Sequence, residues 1–195
     1  MVMTAKLKAE TQVLHDRIEE KNLARKIVDG SIELETYKLL LLQNYIAYRQ
    51  TESEIQRFLP GYTGSKHLQL RQDLENLGMT AAIPPKKENF QCNSPAEAYG
   101  AAYVVEGSAM GGMVLAKKLK SCAALEDLPA QNFFSGDKEN LKDWRKFKEE
   151  LEQYGFSEAE EAEAIEKAKE TFRFFEKIFD LDLSSILDPA FKDKG

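Results

Sequence analysis

The two histidines of the chain, His15 and His67, limit the metal chemistry that its side chains can support. A zinc site with several histidine ligands is excluded. A di-iron bundle is excluded as well, because Gln12 and Gly64 occupy the positions where a Glu-x-x-His pair needs glutamate. One histidine is enough to bind the iron of haem on one face and leave the other face open. Taken alone, however, a histidine on a half-apolar helix face, such as His15, is more often a core or boundary residue than a ligand.

A second feature that could take part in binding is a set of four glycines in the segment AYGAAYVVEGSAMGGMVLAKKLK. Each glycine inside a helix costs about 1 kcal/mol relative to alanine, so four cost about 4 kcal/mol. Gly100, Gly107 and Gly111 are spaced by seven and four residues and share one helix face, with Gly112 beside them. Because glycine has no Cβ, a flat group can lie against this backbone, and clustered Gly and Ser also allow a kink. Tight helix–helix packing is the alternative explanation.

The histidines and glycines are expected to lie on helices, because apolar side chains recur every three or four residues rather than every two. Ser94-Pro95 and Ser157 with Glu160 are typical helix starts, and Pro60-Gly61 ends a long helix. The pattern predicts an all-α bundle of about seven helices, without strands or repeats. The predicted helices cover about residues 4–21, 22–28, 35–59, 65–77, 94–120, 137–154 and 157–179, and residues 79–93 form a loop.

Length and charge narrow the classes of function further. The 195 residues predict a single domain over 1–195, with a peripheral tail from about residue 181. A formal net charge of −6 argues against a nucleic-acid partner and against attraction to an anionic membrane. The sequence shows neither a signal peptide nor a membrane-spanning run, and Cys92 and Cys122 lack metal-ligand spacing. A cytoplasmic protein with two ordinary thiols is expected.

Two motifs resemble those of the haem oxygenase family. LKAETQVLHDRIEE resembles the family's proximal helix, and EGSAMGG, residues 106–112, is similar to the distal-helix motif Glu-Gly-Ser-x-Leu-Gly-Gly of its bacterial, biliverdin-producing branch, with Met110 in place of leucine. NFFSG and DWRKF are similar to the segments that follow in that branch. The motifs lie about 90 residues apart in the family's order, and the resemblance extends from about residue 6 to residue 178. The matching positions of the first motif are Leu7, Lys8, Thr11, His15 and Glu19.

The resemblance implies that haem lies between the first helix and the kinked glycine-rich helix. His15 would be the axial ligand of the haem iron, with Glu19 orienting it from one turn later. Lys8 would reach a haem propionate, although an exposed solubilising lysine is an equal alternative. The distal, catalytic side would be formed by Gly107, Ser108, Gly111 and Gly112, which we call the glycine wall.

Three further residues are expected to contact haem if the resemblance holds: Thr11, Tyr103 and Arg173. Tyr103 precedes Gly107 by one turn and could face either the haem pocket or the core. Arg173 lies among aromatic residues of the last helix, where a propionate contact competes with a plain rim position. Another branch of the family has aspartate where this chain has Ser108, so the group that relays protons remains unassigned.

The reaction that the resemblance implies is oxidative opening of haem, which is both cofactor and substrate, to biliverdin, carbon monoxide and ferrous iron. It requires O₂ and electrons from an external donor, such as ferredoxin or a flavoprotein reductase, because the chain has no flavin or iron–sulfur motif. A monomer is expected because no coiled-coil seam is present. Two alternatives stay open: a non-catalytic haem carrier or sensor on the same scaffold, and a helical interaction module in which the glycines only pack.

Overall fold

The computed structural model describes residues 2–79, 89–181 and 183. These residues form α-helices and one short 3₁₀ turn, with no strand among them, which confirms the predicted all-α class. The bounds are α1 Met3–Lys21, α2 Arg25–Val28, α3 Leu34–Phe58, α4 Lys66–Asn76, α5 Pro95–Gly107, α6 Ala109–Leu119, the 3₁₀ turn Ala123–Leu125, α7 Glu139–Gln153 and α8 Glu158–Phe179. Most of the predicted 79–93 loop and of the tail from residue 181 lies outside the described residues.

The glycine-rich segment forms two helices, which brings the described α-helices to eight. Ser94 caps α5 by accepting a hydrogen bond from the Glu97 N–H, and Pro95 occupies the first turn as predicted. The helix ends at Gly107, and α6 begins at Ala109 after a break at Ser108. The Ser108 hydroxyl donates to the carbonyl of Val105 at 2.8 Å, a local bond that competes with the regular helical ladder.

Helix α8 organises the bundle, because α5, α1 and α3 all pack against it. Its start is fixed by the predicted capping box, in which Ser157 and Glu160 satisfy each other's backbone N–H groups. Large side chains of α3, including Tyr37, Leu40 and Leu41, are fully buried in the shared core. α6 packs against α2 and α7 rather than closely against α1, within the part of the chain that is described.

Two buried carboxylates, on α3 and α4, fix neighbouring parts of the backbone. Glu52, with no exposed surface, accepts hydrogen bonds from the backbone N–H groups of Lys66 and His67 at 3.0 and 2.9 Å. Asp73 accepts from the backbone N–H groups of Asn132 and Phe133 at 2.7 and 2.9 Å. Glu52 therefore fixes the start of α4, and Asp73 fixes a loop, with charge-assisted bonds shielded from water.

Within the described ranges, no helix has the length and apolar character needed to cross a bilayer. Cys92 and Cys122 are both buried and free of disulfides.

Candidate functional site

The helix that carries His15 is held by side chains of α7 and α8. Val2 provides no side-chain cap for α1. The carboxylate of Glu152 on α7 instead accepts hydrogen bonds from the Met3 and Thr4 N–H groups at 2.9 and 2.8 Å. Burial raises the pKa of Glu152, but the hydrogen bonds from Thr4 and Met3 outweigh it and hold that pKa below its usual value. α1 is thereby docked at its first turn by a neighbour's side chain.

His15 is half exposed, with 49% of its side-chain surface accessible, which leaves its ring available to a ligand. The half-apolar helix face expected around His15 is only partly covered by the bundle, since Leu14 and Ile18 are partly buried and His15 is exposed. Its ring meets Phe172 of α8 edge-on, with centroids 5.9 Å apart. Nδ1 lies 3.7 Å from Asp16 Oδ1 and Nε2 lies 3.7 Å from Glu19 Oε1, so both nitrogens face carboxylates beyond hydrogen-bond distance.

His15, Asp16 and Glu19 also meet a simple geometric test for metal binding. One ligand atom from each lies within 4.8 Å of the others, and all three residues are exposed. Such a set on one helix face could hold a bare cation weakly. The same geometry also suits an iron ligand, His15, flanked by carboxylates that can orient its ring.

The glycines separate into two groups when a Cβ atom is placed on each. On Gly100 it would lie 2.1 Å from the carbonyl oxygen of Ala164, so this glycine permits close packing of α5 on α8. On Gly111 and Gly112 it would meet nothing within 4 Å, and on Gly107 only Trp144 at 3.8 Å. The expectation that Gly100 shares an open face with Gly107 and Gly111 is therefore wrong, because α8 occupies that face at Gly100.

Exposed apolar side chains stand beside the open glycines. Met110 and Val114 of α6 are 63% and 57% exposed, so the bundle does not cover these two apolar side chains. Exposed apolar residues around an unfilled backbone surface are typical of a ligand-binding face.

Tyr48 is a residue of this site that the sequence did not indicate. It is buried on α3, and its ring packs against Phe133 and Phe175. Burial raises the pKa of Tyr48 well above its usual value, and the nearby Ser108 side chain opposes that rise. A protonated phenol therefore lies near the serine at the break between α5 and α6. Within a run of apolar α3 residues, no local signal distinguishes Tyr48 from an ordinary core tyrosine.

Thr11 of α1 and Tyr103 of α5 lie close together. Burial raises the pKa of Tyr103, and the Thr11 side chain close to it opposes that rise. The Tyr103 ring also packs against Trp144, with centroids 5.7 Å apart. Thr11 is only 2% exposed, so the structure does not present it at the open face. His15 lies four residues after Thr11 and Gly107 four residues after Tyr103, about 6 Å along their helices.

The cations of α1 fall into paired and unpaired groups. Lys6 pairs with Glu161 at 2.5 Å, and Arg17 and Lys21 both pair with Glu176. Lys8 is exposed and has no ion-pair partner among the described residues, and the same holds for Arg173 on α8. These two cations are therefore free to meet an anionic group at the surface.

The arrangement fits haem as a bound group. Haem is a flat apolar plate with two carboxylates on one edge, and such plates bind where apolar surfaces leave a polar edge toward water. The chain offers an available imidazole on α1, a backbone face without Cβ atoms on α6, and two exposed cations, Lys8 and Arg173, with no ion-pair partner among the described residues.

Comparisons with known proteins agree with this class of site. The sequence model of the heme oxygenase family matches residues 1–63 and 53–181. A curated relative described as "Heme oxygenase", from Xanthomonas campestris pv. campestris (strain 8004), is 33% identical over 155 residues, covering 75% of this chain and 90% of the relative.

Solved structures show the same fold. A heme oxygenase from Neisseria meningitidis, described in its NO- and CO-bound forms, superposes with a TM-score of 0.73 at 23% identity, covering 92% of this chain and 90% of the other. A heme oxygenase from Leptospira interrogans gives 0.70 at 18% identity, with coverage of 92% and 98%. One from the cyanobacterium Synechocystis, in complex with heme, gives 0.71 at 16% identity, with coverage of 96% and 95%.

The chain is thus an all-helical protein with a face suited to haem, and it belongs to the haem oxygenase family.

Proposed function

We propose that the protein binds one haem between α1 and α6 and opens it oxidatively to biliverdin, carbon monoxide and ferrous iron. The observation that carries this proposal is the open backbone at Gly111 and Gly112, where an added Cβ would touch nothing. At Gly100, by contrast, α8 lies against the backbone, and the open glycines alone are flanked by the exposed apolar side chains of Met110 and Val114. When bound, haem supplies the iron that activates O₂ and the ring that is cleaved, and an external ferredoxin or flavoprotein reductase supplies electrons.

On the proximal side, His15 binds the iron through one ring nitrogen. Whichever nitrogen does so, the other lies 3.7 Å from a carboxylate, Asp16 or Glu19. A movement of less than about 1 Å would let that carboxylate accept the remaining N–H and fix the orientation of the ring. Phe172 supports the ring edge from α8 and limits its rotation.

On the distal side, the glycine wall lets the haem face approach the backbone of α6. The Ser108 hydroxyl lies at the break and can hold a water molecule that donates a proton at the open face, with the buried Tyr48 phenol behind it. Ser108 stands where another branch of the family has aspartate. Gly107 leaves space under Trp144, so the indole closes the site toward α7.

At the rim, Lys8 and Arg173 bind the haem propionates. Both are exposed and unpaired among the described residues, whereas Lys6, Arg17 and Lys21 are already engaged with carboxylates. Tyr103 and Thr11 lie one turn from the wall and from His15, where they support the pocket from α5 and α1. We further propose that the protein acts as a cytoplasmic monomer, which light scattering of the holoprotein would test.

The test is a hemin titration followed by reduction in air. The wild-type protein is expected to form a one-to-one complex with a Soret band that gives way to the broad absorption of biliverdin after addition of ascorbate, or of ferredoxin with its reductase. His15→Ala should lose the Soret complex, whereas His67→Gln, the matched control at the other histidine, should keep it.

The outcomes separate the candidate functions. A Soret complex that cycles between ferric, ferrous and oxygenated forms without ring opening would indicate a carrier or sensor. Absence of any complex in the wild-type protein would contradict haem binding altogether. Retention of the complex in His15→Ala would contradict the assignment of the ligand.

A further inference from the structure

Glu106, the last residue of α5 before Gly107, is buried and carries a charge that the proposed reaction does not use. It is 6% exposed. Its Oε1 accepts a hydrogen bond from the Tyr62 hydroxyl at 2.6 Å, and its Oε2 accepts one from Lys66 Nζ at 2.7 Å. Burying a charge is expensive unless it is paired and hydrogen-bonded, so this arrangement has an energetic cost that a leucine would avoid.

Both partners of Glu106 come from residues 59–67, the connection that follows α3 together with the start of α4, which we call the clasp. The clasp is fixed at its far end, because Glu52 of α3 accepts the Lys66 and His67 N–H groups. The Tyr62 ring folds back over the clasp and lies so close to Gly64 that a Cβ there would be 2.2 Å from the ring. A residue other than glycine at 64 would therefore push the Tyr62 hydroxyl away from Glu106.

The clasp thus connects α3 to the final turn of α5, immediately before the break. Gly107 has no side chain, so Glu106 is the last α5 residue before the break whose side chain is tied to another element. The direction in which α6 leaves the break depends on the orientation of that final turn. The clasp therefore affects the positions of Ser108 and of the open glycines, Gly111 and Gly112.

We propose that Glu106 is a positioning residue: held by Tyr62 and Lys66, it sets the place of the glycine wall relative to bound haem. This inference rests on the proposed haem function and extends it to residues that do not touch haem. Loosening the clasp should let the glycine wall shift. The shift should weaken haem binding and change which ring carbon faces the Ser108 hydroxyl.

The chain supplies a matched control at the opposite end of α5. Glu97, in the first turn, lies 3.2 Å from Lys167 of α8, and Lys167 is only 6% exposed. Glu97→Gln and Glu106→Gln each remove an α5 carboxylate from a largely buried pair with lysine, and Lys167 keeps Glu170 as a second partner. Only the second removal occurs next to the break.

The first experiment compares hemin release, measured by transfer to excess apomyoglobin, and the mixture of biliverdin isomers formed in turnover. Glu106→Gln should release hemin about fivefold faster than wild type, the equivalent of one net hydrogen bond, and should produce a second isomer. Glu97→Gln should leave hemin release and the isomer mixture unchanged even where it lowers the melting temperature. Equal effects of the two variants on both measurements, or none, would overturn the inference.

A double variant separates position from stability. Glu106→Gln with Lys66→Met removes both charges, so no unpaired buried charge remains and the melting temperature should recover toward wild type. The tether is still absent, so fast hemin release should persist. Recovery of slow release together with stability would show that Glu106 only stabilises the fold.

Glycine variants test the clasp without altering charge. Gly64→Ala should displace Tyr62 and reproduce the faster hemin release, whereas Gly61→Ala, with no atom within 4 Å of its added Cβ, should behave as wild type. Normal release from Gly64→Ala would contradict the role of the clasp. Failure of wild-type protein to bind hemin would contradict the proposed function instead.

Discussion

The two halves of the glycine-rich segment differ in what lies against their backbones. At Gly100, α5 approaches α8 so closely that the carbonyl oxygen of Ala164 occupies the place of a Cβ. At Gly111 and Gly112, after the break at Ser108, the same residue type borders open space. Gly100 allows two helices to pack closely, whereas Gly111 and Gly112 leave a backbone surface uncovered.

The difference teaches that glycine spacing alone does not indicate a ligand site. A continuous helix would place Gly100, Gly107 and Gly111 on one face. Gly107 lies in the same helix as Gly100 but meets only Trp144 of α7, and Gly111 and Gly112 follow the break, so the first glycine meets α8 and the later ones do not. Substituting each group should therefore affect different properties, stability for one and haem binding for the other.

The largest expected effect is on stability, at Gly100. Gly100→Ala places a methyl group against backbone that cannot rotate away, so we expect a loss of about 3 kcal/mol in the free energy of unfolding. Urea denaturation of the apoprotein measures it. Gly111→Ala is the matched control, since the same methyl group meets no atom there. An unfolding free energy unchanged in Gly100→Ala would mean that α5 and α8 are not in this close contact.

The second effect concerns haem affinity, at Gly111. Gly111→Ala should stabilise the apoprotein by up to about 1 kcal/mol, because alanine is the better helix former at an exposed position. Gly111→Leu should fill the space and weaken hemin binding about tenfold or more, since the lost contact exceeds about 1.4 kcal/mol. Hemin titration and urea denaturation of both variants give the two quantities. Unaltered hemin affinity in Gly111→Leu would place haem elsewhere.

A smaller effect is expected at the rim, from Lys8. Lys8→Ala should weaken hemin binding about threefold at low salt, the magnitude of an exposed ion pair, and the difference should shrink as ionic strength rises. Lys6→Ala provides the control, because Lys6 is engaged with Glu161. If both variants bind hemin as wild type does at low salt, Lys8 has no propionate partner.

The smallest effect is the pH dependence of the docking of α1 on α7. The pKa of Glu152 is lower in the folded chain than in the unfolded one. Its contribution to stability is therefore complete above the unfolded value of 4.5 and is lost as pH falls through the folded value. The melting temperature of Glu152→Gln should lie below that of wild type at pH 7, and the gap should close in acid. A gap that persists unchanged well below pH 4 would contradict the role of the carboxylate.

The sequence predicted what depends on local chemistry. Ser94-Pro95 and Ser157 with Glu160 are short-range caps, and they begin α5 and α8 as expected. The all-α class follows from spacing alone, and the family from two motifs. The break within the glycine-rich segment was foreseen only as a kink, because glycine permits a change of direction without dictating one.

What the sequence did not predict depends on partners distant in the chain. Tyr62 and Lys66 lie 44 and 40 residues from Glu106, so nothing near EGSAMGG indicates that its glutamate is buried and paired. Tyr48 approaches Ser108 from another helix, and the apolar residues 45–48 around it indicate only a core position. The half exposure of His15 likewise depends on how α8 approaches α1.

The long reach of the α1 contacts has a consequence for synthesis of the chain. Met3 is held by Glu152, 149 residues later, and Arg17 by Glu176, 159 residues later. The helix bearing His15 leaves the ribosome before its docking partners on α7 and α8 are translated. His15 is therefore translated before the other parts of the site, but its helix is docked only after α7 and α8 have been made. A nascent chain that stops before α8 has no assembled pocket in which to bind haem.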